Sequence, residues 1–66
     1  MGEQEIIMEL RLIVEDLREM PSAEKEAGEV LTLIRDLVTH RKSSVEVLRL
    51  AQDIKLHARV RAQQSL

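Results

Sequence analysis

The stretch Ile6 to Met20, IIMELRLIVEDLREM, limits what the rest of the chain can do. Its apolar residues fall at Ile6, Leu10, Ile13, Leu17 and Met20, in alternating steps of four and three. That spacing is the seam of a helix packed on other helices, and Ile7 and Val14 widen it into a core-facing stripe. Everything downstream reads as cover for this stripe.

Sixty-six residues make one domain at most. A chain this short buries only about 60% of its unfolded surface and is marginal alone. Small domains are usually reinforced by disulfides, a metal or oligomerisation. The absence of Cys removes disulfides, thiolate metal sites and thiol nucleophiles, and fits a reducing compartment. The absence of Phe, Tyr and Trp makes the core wholly aliphatic and removes the aromatic platforms on which single-stranded nucleic acid stacks. With 44% hydrophobic and 33% charged residues, two Gly and one Pro, the composition is that of a helical bundle or coiled coil.

The acidic start MGEQEIIMEL lacks the basic residues and long apolar run of a signal peptide. No apolar run approaches the ~20 residues of a membrane span. Ile6 stands where a myristoylation signal wants Ser or Thr. A cytoplasmic location with no membrane contact is expected.

The net charge of −2 is unevenly distributed. Residues 1–40 carry ten acidic and four basic groups, whereas residues 41–66 carry six basic groups (Arg41, Lys42, Arg49, Lys55, Arg59, Arg61) and two acidic ones. The halves are therefore −6 and +4, an asymmetry that points to charge-directed contacts.

The expected fold class is all-α: a small three-helix bundle, or a helical hairpin with a third helix, forming a dimer. Helix 1 is expected over about 3–19. Its early Glu3, Glu5 and Glu9 suit the helix dipole, and it stops before Pro21, which disfavours helical backbone in the residue preceding it. So short a connector makes helices 1 and 2 antiparallel neighbours. Ser22 reads as an N-cap, and helix 2 is expected over about 23–41. Its seam is Ala27, Val30, Ile34 and Leu37, widened by Leu31 and Val38, which repeats the spacing of helix 1. Ala23, Ala27 and Gly28 are small enough to permit close packing there.

Ser43-Ser44-Val45-Glu46 reads as a capping box, and the seam changes phase at that point. Continuing helix 2 in register would bury Arg41, Ser44 and Lys55. Restarting gives the apolar series Val47, Ala51, Ile54 and Ala58. A break at 42–44 is therefore expected, with helix 3 over about 44–62. The rival is one helix from 23 to about 62, because no Gly or Pro from Leu31 onward interrupts the later part.

Met8, Leu12, Leu33, Leu50, Leu56 and Val60 lie off these seams. The first five are read as apolar anchors for a partner, because a bundle this small cannot easily bury its seams and these residues as well. Asp36 with His40, and Asp53 with His57, are D-x-x-x-H pairs one helical turn apart. In a helical hairpin turning near residue 43 the two histidines fall roughly 16 Å apart at 1.5 Å per residue, too far to share a metal. Both pairs read as surface ion pairs. No phosphate loop, zinc helix or calcium loop is present, the serines sit where caps belong, and a bundle of this size offers little concavity. No catalytic residues, cofactor or metal are expected.

The sequence thus points to a non-enzymatic helical interaction module, such as a small regulator, adaptor or structural subunit. Its partner is protein, either a second copy of itself or another chain, met through aliphatic faces framed by charge. The alternative is a small nucleic-acid-binding regulator whose C-terminal helix contacts phosphates through Arg49, Lys55, Arg59 and Arg61.

Overall fold

Three helices account for almost all of residues 2–64, the part of the chain described by the computed structural model: α1 Glu3–Glu19, α2 Glu24–Val38 and α3 Ser44–Gln64. They form an all-α bundle in which every pair of helices is in contact. Two tight turns make the chain run up, down and up, so α1 and α3 point the same way. An ion pair of 3.0 Å between Asp16 and Lys55 puts α1 residues level with α3 residues about 39 further along.

The α1 seam is the centre of the core. Ile6, Leu10, Ile13, Val14 and Leu17 are buried, with Ile7 and Met20 partly so. They meet Ala23, Ala27, Val30, Leu33 and Leu37 before and within α2, and Val47, Ala51 and Ala58 of α3. Leu10, Leu17, Val30 and Val47 are the largest fully buried side chains. The contribution of α3 is thin because two of its three buried residues are alanines. Their small size lets the backbone of α3 approach the groove between the other helices.

The core face of α2 differs from the expected seam. Leu33, expected on the surface, is buried, whereas Leu31 and Val38, expected to widen the core, are exposed. The reason is the third helix. A seam copied from α1 describes contact with one neighbour, but α2 has two. At about 100° per residue, Leu33 lies some 60° to one side of Val30 and Leu31 some 100° to the other. Packing α3 on the Leu33 side closes over it and leaves Leu31 on the outer flank of α1. Gly28 is also exposed, and a Cβ added there would meet nothing within 4 Å, so it provides no close approach.

Both turns use a non-glycine residue in left-handed backbone. Ser22 has φ 65°, following Pro21 in the arrangement that suits a type II turn. It therefore does not cap α2: the N-cap is Ala23, which makes no side-chain capping bond. α2 stops at Val38 rather than near 41 because His40 takes φ 60°. The Arg41 N–H then donates to the Asp36 carbonyl (2.8 Å) and the His40 N–H to that of Leu37 (3.1 Å). This is a Schellman motif with histidine where glycine is usual. His40→Gly should raise stability by about 1 kcal/mol, since left-handed backbone is unfavourable for residues bearing a Cβ. A higher midpoint in urea titration checks this; a lower one would show that the imidazole makes a stabilising contact.

The second helix boundary falls where the capping box was expected. The Ser43 hydroxyl accepts from the Glu46 N–H at 3.3 Å, and the Ser43 carbonyl accepts from Val47 at 3.0 Å. Residues 23–62 are therefore two helices and not one.

Candidate interaction surface

The aliphatic residues left outside the core lie on two flanks and two crests. Met8 (65% exposed) and Leu12 (54%) stand on the back of α1, nearly opposite Leu10 and Leu17. On α3, Val45 (76%) and Leu56 (58%) lean toward α1, with Val60 on the crest. Leu31 and Val38 lie on the flank between α1 and α2, where Leu31 lines an open groove with Arg11, Val14, Glu15 and Arg18. Of the five expected anchors, Met8, Leu12 and Leu56 are available on the surface. Leu33 is in the core, and Leu50 is half-buried against it on the α2 side of α3. In the sequence Val45 is masked by its place in the capping box, although its position in the first turn, two residues before buried Val47, points it away from the core.

The α1–α3 flank combines Val45, Leu56 and, at its α1 edge, Leu12 with opposed charge. An open groove there is lined by Ile6, Val45, Leu48, Arg49 and Gln52, and a second by Asp16, Glu19, Met20, Lys55 and Arg59. Along α1 the charged positions near this flank are Glu5, Glu9, Asp16 and Glu19; along α3 they are Arg49, Lys55 and Arg59. One half of the face is acidic and the other basic.

The four expected phosphate contacts are not brought together as one patch. Lys55 is engaged by Asp16, and Arg61 turns to the α2 side of α3, where it binds Glu26 and donates to the Ser22 carbonyl at 3.1 Å. Arg49 and Arg59 remain exposed and make no ion pair among the described residues.

Glu26 is the one buried charged residue among those described, and it too was missed. The signal was its position one turn before Val30, which places a carboxylate on the seam itself. Its Oε1 meets the Arg61 guanidinium, while Oε2 is buried without a hydrogen-bond partner among the described residues. A hydrogen bond from its own backbone N–H holds the Glu26 carboxyl below its ordinary value of 4.5; desolvation opposes this, and Arg61 and then Lys25 reinforce it. A depressed folded-state pKa contributes stability above the unfolded value, which is lost as pH falls through 4.5 and below. Glu26→Gln should therefore melt lower than the parent at neutral pH and approach it near pH 3, with a flatter acid limb. Parallel melting curves across that range would remove Glu26 from the acid response.

The D-x-x-x-H pairs do not behave alike. His40 has left the helix, and Asp36 instead pairs with Lys42 at 3.2 Å, whereas Asp53 and His57 stay on the exposed side of α3. Among the described residues no group of three or more His, Cys, Asp or Glu could hold a metal ion, and no helix is long and apolar enough to cross a membrane. No protein-family model matches the chain, and neither a curated protein nor a solved structure was found that matches it.

Proposed function

We propose that this chain is a non-enzymatic interaction module that self-associates through the aliphatic residues of its outer helix faces, acting as a small structural or regulatory subunit. The observation that supports this most is the exposure of Met8, Leu12, Val45 and Leu56 by a bundle whose third helix buries mainly alanine. A core so thin gains from a second copy, and apolar surface is the means of gaining it. The basic residues support the phosphate-binding alternative less well, because two of the four are already paired within the chain.

Sedimentation equilibrium over a range of concentrations tests the proposal. A concentration-dependent dimer is expected. Leu12→Ser and Leu56→Ser should each weaken it by tenfold or more, since a fully buried leucine contributes about 1.5–3 kcal/mol. Leu50→Ser is unsuitable as a probe, because Leu50 already packs on the core. About 1 M salt should have a smaller effect than either substitution, exposed ion pairs contributing roughly 0–1 kcal/mol each. A dimer dissolved by salt and indifferent to both serines would overturn the aliphatic reading.

A further inference from the structure

Building on the self-association proposed above, we propose that two copies pair face to face through the α1–α3 flank, about a two-fold axis parallel to the helices. The acidic α1 of each copy then lies on the basic α3 of the other.

The choice of face follows from what is exposed. The α1–α3 flank carries Val45 and Leu56, with Leu12 at its α1 edge and Val60 on the α3 crest beside it; the α1–α2 flank carries only Leu31 and Val38 among the large exposed aliphatics. Its size is also adequate. The bundle measures 38 × 18 × 15 Å, so one long face offers about 700 Å² before side-chain relief is counted. Standard stable interfaces take about 800 Å² from each partner.

The choice of axis follows from charge. A closed face-to-face dimer has its two-fold axis in the plane of contact, either along the helices or across them. An axis across the helices stacks α1 on α1 and α3 on α3. Glu5, Glu9 and Glu19 would then meet their own kind, and so would Arg49 and Arg59. An axis along the helices exchanges the two halves of the face and superposes acid on base. It also preserves height. Because α1 residues are level with α3 residues about 39 further on, Glu9 falls level with Arg49 of the second copy and Glu19 with its Arg59. The aliphatic residues supply the affinity, and these pairs select the arrangement.

The chain has no Cys, so single cysteines introduced by Glu5→Cys and Gln63→Cys can carry spin labels at opposite ends of the face. With the axis along the helices, each label lies beside its own copy, within about 20 Å. With the axis across them, the labels sit at opposite ends, separated by about 30 Å or more at 1.5 Å per residue. Short distances at both sites are expected. In parallel, Glu9→Arg and Arg49→Glu should each weaken the homodimer about tenfold at low salt, and mixing the two should restore affinity in the heterodimer, where both contacts are again complementary. Long distances in a protein that sedimentation shows to be dimeric overturn the arrangement and leave self-association standing. A chain monomeric at every concentration overturns both.

Discussion

Ile13→Asp is expected to abolish the cooperative fold. Ile13 lies mid-way along the α1 seam and is only 4% exposed, with α3 on its side of the core. Lys55, the cation of α3 that reaches α1, is already held by Asp16 at 3.0 Å. An unpaired buried carboxylate carries a penalty of several kcal/mol. A core of this size seldom supplies more than about 3–5 kcal/mol in total. Far-UV circular dichroism should show most helical signal lost at neutral pH, with no cooperative melt. Leu12→Asp is the control one residue away. Leu12 points to solvent, so at concentrations too low for association the fold should persist with stability changed by about 0.5 kcal/mol or less. Equal behaviour of the two variants would contradict the position of the seam.

The contrast between these adjacent residues shows what was legible in the chain. The face of α1 could be read directly, because its seam positions recur with helical spacing and charged residues fill most of the rest. The break before α3 was also legible, because Ser43 and the phase change of the seam agree. The turn chemistry was less so. Ser22 and His40 both adopt left-handed backbone, which glycine normally signals, and a serine before a helix resembles a cap whether or not it acts as one. Glu26 was hidden for another reason. A glutamate in the first turn of a helix is usual, and its burial depends on Arg61, thirty-five residues away on α3. Its seam position one turn before Val30 hints at burial, but the pairing with Arg61 is a product of tertiary packing that nothing local announces.

The same point explains the basic segment. Read along the sequence, Arg49, Lys55, Arg59 and Arg61 form one positive stretch. Around the helix they diverge. Lys55 and Arg59 face α1, Arg61 faces α2, and Arg49 lies at the outer edge of the α1–α3 flank, at about 100° per residue. Acidic side chains of the same chain meet two of them. Charge asymmetry along the chain thus becomes charge complementarity across the bundle, which is a feature of assembly as much as of ligand binding.

Leu33→Ala should cost about 2–5 kcal/mol, whereas Leu31→Ala should cost less than about 1 kcal/mol. The two residues are the same type, two positions apart in one helix, so helix propensity cancels between them and only burial differs. Leu33 is 6% exposed beneath α3, while Leu31 is 45% exposed on the far flank. Truncating Leu33 removes most of a side chain that α3 covers and opens a cavity inside the core. Truncating Leu31 opens only a groove already in contact with water. Urea denaturation of both variants at low concentration measures the difference directly. The opposite ranking would mean that α2 is turned to face α1 alone, as its resemblance in spacing to α1 suggests. α3 would then lose the leucine it packs against, and with it the reason for a three-helix bundle over a hairpin with a loosely held third helix. A loss confined to Leu33 instead ties the rotation of α2 to the presence of α3. It also leaves Leu31 and Val38 as surface residues remote from the α1–α3 face through which the second copy is proposed to bind.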